Sequence, residues 1–246
     1  MNILVCISQS PDTTSRIAFT AGDTQFDSNG VTYIVNPYDE WYALVRAIEL
    51  KEALGGQVTT VTVGPAACEQ VIRKALAIGA DDAVRIDAEP VDAMQVSRLI
   101  ADFVRTRNFD LILAGKETID HNGGMVPGMV AEWLDWPYVA SAVALEVNGA
   151  QAAVKREVAG GTESLSIALP LVLSAAKGMA EQRIPNMRGI MAARTKALDT
   201  VPGVGAEVAT EVVKFTLPPA KGACRMVPAD QPEELVRLLR EEAKII

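Results

Sequence analysis

The sequence predicts an α/β fold: a mostly parallel sheet flanked by helices, with an extended C-terminal arm. Three observations carry this. Between Asn2 and Pro137, short apolar runs of one buried strand's length alternate with longer stretches at helical spacing, the order that builds parallel sheets through right-handed crossovers. From Asp110, a strand-like run passes through a glycine loop into a helical pattern, the layout of a ligand-binding turn beyond the carboxyl end of a parallel strand. After Leu198 the chain turns rich in Pro and Gly and loses periodicity, as arms without their own core do.

Taken in order, Asn2 to Ile7 reads as a central strand, followed by the polar loop Ser8–Thr14. Ile17 to Ile34 has turn residues at Gly22-Asp23 and Asn29-Gly30, a hairpin-like excursion. Asn36 suits an N-cap and Pro37 a first helical position, so a helix is expected from there to about Leu54. Asp39 and Glu40 favour its positive end, Ala43, Ala47, Leu50 and Leu54 form its buried stripe, and Gly55-Gly56 ends it. Strands follow at Gln57–Val63, Ala83–Ile86 and Leu111–Ala114, with helices at Ala66–Ile78 and Val91–Thr106. Beyond Pro137, two alternating runs flank Asn148-Gly149, a hairpin signal. Ser164–Ala168 and Leu171–Ala175 add strands. Gly178–Arg188 reads as irregular and exposed, Ile190–Lys196 as a short helix, and Asp230–Ile246 as an amphipathic helix.

The stretch Asp110–Pro137, DLILAGKETIDHNGGMVPGMVAEWLDWP, is the candidate site. Gly115 ends the strand, Gly123-Gly124 sit in the loop, and Met125, Met129 and Trp133 share one face of the helical pattern. Free N–H groups and the positive end of a helix attract an anion, and glycine lets a phosphate come close. The stretch is neither GxGxxG nor GxxxxGK[ST], and many such joints bind nothing.

Composition excludes several classes. The net charge of −8 and a pI near 4.8 argue against a general nucleic-acid binder. Cys6, Cys68 and Cys224 have no metal-binding spacing and read as free thiols in a reducing cytosol. The single histidine, His121, cannot build a His-based metal site. A basic n-region is missing from the N-terminus, and no apolar run approaches the ~20 residues of a membrane span.

The sequence resembles the β subunit of electron transfer flavoproteins. The matching pieces are ILVCIS with SQSPDT, GVTYIVNPYDEWYAL, VTVGP, ALAIGADDAVRI, DLILAGKETID, EWLDWP, KREVAGGTESLSIALPLVLSA and RGIMAARTK. They span the chain to about Lys196, and the GGTESL segment is the most specific. The resemblance implies an adenine-nucleotide-hydrolase-like, Rossmann-like domain over residues 1–196, and an arm and helix over 197–246 that pack on a partner α subunit. It implies an electron carrier rather than an enzyme: the heterodimer takes electrons from flavin dehydrogenases, such as acyl-CoA dehydrogenases, and passes them to a quinone oxidoreductase or another acceptor. The redox chemistry belongs to an FAD shared with the α subunit. The β subunit holds AMP structurally, or a second FAD in electron-bifurcating members. A stand-alone adenine-nucleotide-binding protein of the same fold is the alternative, although neither an SGGxDS loop nor a GxxGxxxxxxxxxG[ST] loop is present.

By the same resemblance, nucleotide contacts come from Cys6, from Asn36, Pro37, Tyr38 and Asp39, from Val63, and from His121, Asn122, Gly123, Gly124, Met125, Val126, Pro127, Gly128, Met129 and Val130. The plain alternatives are a Cys6 thiol packed in the core and a His121 that merely decorates a surface loop. Residues 177–194 match a recognition loop that anchors dehydrogenases, with Met187 at the plug position and Ile184 and Arg188 beside it; a buried Met187 is the alternative. Glu163 matches a glutamate that steers the mobile flavin domain, or simply faces water at a strand edge. Two departures stand out. Met125-Val126-Pro127-Gly128 replaces a Gln-containing run, with Pro127 removing a backbone donor. Ser8 stands where Lys or Arg is common.

Overall fold

A computed structural model describes all residues, Met1–Ile246. In chain order the strands and helices are β1 (Asn2–Cys6), β2 (Gln9–Pro11), β3 (Phe19–Thr20), β4 (Gln25–Phe26), β5 (Tyr33–Val35), α1 (Asp39–Leu54), β6 (Gln57–Val63), α2 (Glu69–Ile78), β7 (Asp82–Asp87), α3 (Ala93–Val104), β8 (Leu111–Gly115), α4 (Val126–Leu134), β9 (Tyr138–Asn148), β10 (Gln151–Val158), β11 (Gly161–Ala168), β12 (Leu171–Ala175), α5 (Met187–Ala193), β13 (Leu198–Pro202) and α6 (Pro232–Arg237). Nine strands form one sheet in the order β11-β10-β9-β12-β8-β1-β6-β7-β13. Every pairing from β9 to β13 across it is parallel, and β10 pairs antiparallel with both β9 and β11. The excursion after β1 forms two small sheets of its own, β2-β5 and β3-β4.

The central strands are apolar throughout because each face is covered. Ile3 and Val5 of β1, Leu111 and Leu113 of β8, and Leu171 and Leu173 of β12 pack with α1 and α2. The alternate residues Leu4, Ile112 and Val172 pack with α3 and α4 on the other face, as the two-residue period of a strand requires. The outer hairpin differs. Along β10, Ala152 and Val154 are buried and their neighbours are not, the alternation of a sheet with one wet face.

The chain moves from β1 to β6 and β7 on one side, then returns through α3 to place β8 on the other side of β1. The order therefore reverses at β1. α1 leaves toward one face and α4, after β8, toward the other, which opens a crevice beyond the carboxyl ends of these strands.

Several local expectations shift. α1 begins at Asp39 rather than at Pro37, with Tyr38 at its N-cap and no side-chain cap, because the Asn36 side chain is engaged elsewhere. Leu54 is 52% exposed while Leu44 and Ile48 are buried, so the stripe of α1 is broader and ends earlier. Asn186 accepts from the Gly189 N–H at 2.8 Å, which starts α5 at Met187, three residues before the expected position. The C-terminal helix shortens to α6 and one π-helical turn, Leu238–Glu242.

The segment after residue 197 is not all arm. β13 pairs with β7 from Leu198↔Ala83 to Pro202↔Asp87 and forms the sheet's edge. Beyond it, one carboxylate fastens the chain to the body. Asp92 Oδ1 accepts from the Gln95 N–H at 2.8 Å and caps α3, while its Oδ2 accepts from the N–H groups of Ala209 and Thr210 at 2.7 and 2.8 Å. Further on, Phe215 stacks on Phe19 with centroids 4.7 Å apart.

Asp92→Ala should leave β13 in the sheet and release the segment around Ala209. Hydrogen exchange checks this: the Ala209 and Thr210 amides should lose protection while those of β13 keep theirs.

Candidate functional site

The crevice is built around the first turn of α1. Glu40 lies on the buried side of that helix, one turn ahead of Ala43 and Leu44, and is 6% exposed. Its carboxylate accepts from the Ser8 N–H at 3.1 Å and the Ser8 Oγ–H at 2.6 Å, just beyond β1. Gly115, at the end of β8, packs directly on this turn: a Cβ there would lie 2.9 Å from Glu40 Cγ and 3.0 Å from Glu40 N. The preceding turn is joined to the loop after β8 through both backbone groups of Glu117. Asn36 Nδ2 donates to the Glu117 carbonyl at 2.9 Å, and the Glu117 N–H donates to Asp39 Oδ2 at 3.2 Å. Asn36 Oδ1 accepts from the Tyr38 N–H at 3.0 Å, an Asx-turn in place of a helix cap.

Between these two loops opens a cavity of about 370 Å³, walled by Thr13, Asn36, Tyr38, Asp39, Tyr42, Glu117, Thr118, Ile119, Asn122 and Lys177. Of the residues expected from the sequence, Asn36, Tyr38, Asp39 and Asn122 meet here. Pro37 lies in the same turn, and its carbonyl accepts from Gln182 Nε2. Cys6 and Val63, at the ends of the adjacent strands β1 and β6, and the head of α4 lie outside the wall.

The loop into α4 is self-closed at its base. The Thr118 N–H donates to the Gly123 carbonyl at 3.1 Å, and the Gly123 N–H returns to Thr118 Oγ1 at 3.2 Å. His121 is exposed, with its Nε2 3.9 Å from Asp120. Gly124 passes close to the Lys116 carbonyl, 2.9 Å from where a Cβ would sit. The amides of Gly124, Met125, Val126 and Gly128 have no acceptor within the chain, and no side chain caps α4. Pro127 stands among them without a donor. Such an uncapped helix start suits one anionic group.

The buried stripe of α4 runs one residue out of phase with the expectation. Val126, Val130 and Leu134 pack with the core, while Met125 is 62% exposed. Trp133 turns to α3, its Nε1 donating to Ser97 Oγ at 3.2 Å with Arg98 4.9 Å over its ring. Packing against α3 and β12 selects the Val126–Val130–Leu134 face over the Met face. Val130 is thereby 1% exposed, so its side chain holds the helix down rather than facing the crevice.

Electrostatically the centre is acidic. Burial is the main cause that raises Glu40 to about 7, opposed by the two Ser8 hydrogen bonds and reinforced by Asp120. Burial also raises Asp39, and burial followed by the Glu40 charge pushes the Cys6 thiol up to about 12. Cys6, half-buried at the end of β1, therefore keeps its thiol protonated and is poorly suited to act as a nucleophile. From the sequence, Glu40 is placed only at the positive end of α1 and Lys177 only at the start of the 177–194 loop, and neither in the crevice. Glu40 had a signal, a carboxylate at helical spacing on the apolar stripe of α1; Lys177 had none.

The two remaining groups sit apart from the crevice. Glu163 faces Arg156 across the β10–β11 hairpin, with Nε to Oε2 at 2.5 Å. Met187 is 72% and Ile184 83% exposed, and Arg188 is exposed beside them. No helix is long and apolar enough to cross a membrane.

The Glu40 environment predicts a pH dependence. Its folded pKa, about 7, stands above the ordinary 4.5, so its contribution to stability is fully present below about 4.5 and is lost as pH rises through 7. The size is roughly 3 kcal/mol. Glu40→Gln keeps an acceptor for the Ser8 N–H and stays neutral. Thermal unfolding between pH 5 and pH 8 should show a smaller loss of stability for this variant than for the parent.

Comparison with known proteins joins these observations. Residues 23–204 match the family model described as the electron transfer flavoprotein domain. The chain is 39% identical to the electron transfer flavoprotein subunit beta of Bacillus subtilis (strain 168), over 100% of both chains. It is 35% identical to the subunit beta of Syntrophomonas wolfei subsp. wolfei, over 99% of this chain and 96% of the relative. With the subunit beta of Homo sapiens it shares 32% identity over 100% of this chain and 99% of the relative. The family model covers most of the chain and these relatives match it from end to end: the chain belongs to the electron transfer flavoprotein family, on its β-subunit side.

Proposed function

We propose that this chain is the β half of a heterodimeric electron carrier that works in a reducing cytosol. The observation that carries the reading is its end-to-end similarity to proteins whose names call them subunits. A second chain, the α subunit, is the partner this implies. Its natural contact is the arm, where Val204, Val213, Met226 and Ile245 are 70–83% exposed with no core of their own. Electrons come from flavin dehydrogenases such as acyl-CoA dehydrogenases and leave to a quinone oxidoreductase or another acceptor. The FAD shared with the α subunit supplies the redox chemistry when bound.

AMP is the nucleotide that the loop into α4 and the neighbouring strand ends suit best. The unpartnered amides of Gly124, Met125, Val126 and Gly128 suit a single phosphate, and Cys6 and Val63 offer apolar and backbone contact to a base. Pro127 removes a donor, and Met125 and Val126 bring no polar group. These features disfavour the longer diphosphate of a second FAD. Asn36 and Asp39 shape the turn, their side chains already committed to Tyr38 and Glu117.

Ile184, Met187, Ile190 and Met191 form an exposed apolar ridge, and flexible methionines suit adaptable contacts. The ridge anchors the dehydrogenase, with Met187 as its plug. Arg188 flanks it and makes no ion pair within the chain, so the receiving pocket should have an acidic rim. Glu163 steers the mobile flavin domain while sharing its charge with Arg156.

Two measurements test the reading. Denaturing the purified heterodimer should release about one FAD and one AMP per pair; two FAD and no AMP would assign the crevice to a second flavin. Met187→Glu should weaken electron transfer from an acyl-CoA dehydrogenase at least tenfold at limiting carrier concentration, with flavin content intact; unchanged transfer would remove the ridge from docking.

A further inference from the structure

The ridge does not hang from a loose loop. α5 is seven residues long, too short to persist alone in water, yet it presents three of the four exposed apolar side chains. What holds it is a pair of reciprocal caps with α2. Arg73 of α2 reaches past the end of α5, its Nη1 donating to the Ala193 carbonyl at 2.8 Å and the Lys196 carbonyl at 2.7 Å. Lys196 returns the contact at the end of α2, its Nζ donating to the Leu76 and Ala80 carbonyls at 2.9 and 2.5 Å. One last-turn carbonyl of each helix, Ala193 of α5 and Leu76 of α2, and one carbonyl just beyond each end thus accept from a cation rooted near the other helix, at the end that favours positive charge.

Between the caps, Gly189 brings the two backbones together. A Cβ there would lie 2.5 Å from the Ala77 carbonyl oxygen, and a backbone atom cannot step aside as a flexible side chain does. Ala193 is 3% exposed and closes the contact from below. The loop leading into α5 is held separately, on α1: Arg183 forms a two-armed pair with Glu52 at 2.7 and 3.0 Å, and Trp41 Nε1 donates to the Arg183 carbonyl at 3.3 Å.

We propose that Arg73, Lys196 and Gly189 are positioning residues for partner docking, which keep α5 formed on α2 before any partner arrives. This rests on reading the ridge as the dehydrogenase anchor. None of the three reaches the ridge surface. They set the fraction of molecules in which Met187, Ile190 and Met191 stand in docking geometry, and apparent affinity scales with that fraction. A seven-residue helix without its caps spends much of its time unformed, so removing them weakens docking on the order of tenfold.

The experiment uses the intact heterodimer with Arg73→Gln, Gly189→Ala and the conservative Arg73→Lys. Hydrogen exchange of residues 187–193 reads preformation directly. Steady-state reduction by an acyl-CoA dehydrogenase reads docking, through the KM for the carrier. For Arg73→Gln and Gly189→Ala, exchange in α5 should accelerate at least tenfold and the KM rise by a similar factor, with kcat and flavin content unchanged. Arg73→Lys should recover much of both. Unchanged exchange, or faster exchange with an unchanged KM, overturns the proposal. Should Gly189→Ala fail to fold, the two Arg73 variants decide alone. Met187→Glu separates the two readings: it should raise the KM without altering α5 exchange, and if its KM is unchanged the ridge is not the anchor, whatever the exchange data say of α5.

Discussion

A carboxylate at the head of α1 holds the ends of β1 and β8 in register with the helix between them. Glu40 takes both donors of Ser8, and Gly115 lets β8 come within contact of the same turn. Most buried carboxylates are matched by a cation, but the charge acting on this one is that of another acid, Asp120. Two hydrogen bonds from a single serine carry the compensation. Other strand ends are also tied by side chains, as Arg85 ties the Gly64 carbonyl beyond β6, but here the tie is a buried carboxylate with no cation beside it. The shape of the crevice follows from that choice.

The crevice and the exposed apolar ridge are joined by one segment. After β12 the chain lines the cavity with Lys177, touches the Pro37 carbonyl through Gln182, grips α1 through Arg183, and ends capped against α2. The crevice wall and the exposed apolar ridge are thus fastened to α1 and α2 from one side of the sheet. The other side is covered by α3 and α4, whose packing surfaces are apolar and closed.

Much of the fold was legible because the central strands and their helices obey simple periods. The short apolar runs could only be strands buried twice, and the Asn148-Gly149 turn announced its hairpin. Legibility failed where a distant partner decided the outcome. Asn36 has every local property of a helix cap, yet the Glu117 carbonyl, 81 residues away, claims its amide. The phase of α4 followed its packing on α3 and β12, which the Met125–Met129–Trp133 spacing does not encode. β13 hides within a Pro-rich stretch because an edge strand needs few apolar residues, and its pairing partner lies more than a hundred positions upstream. At the site, glycines and turns were readable as local features. The committed side chains of Asn36 and Asp39 and the buried state of Glu40 were not, since burial is a property of the assembled layers.

That late pairing of β13 has a consequence for biosynthesis. β7 is complete by Asp87, but the strand that covers its outer side ends at Pro202. While the intervening residues are being translated, β7 presents a bare row of N–H and C=O groups, the template on which unfinished chains join one another. The contacts that close it span a long stretch of sequence and so form slowly. When β13 does arrive, it carries Asp199 and ends in Pro202, a charge and a missing donor that discourage a tenth strand. The nascent chain therefore carries this open sheet edge until its last sheet position is filled.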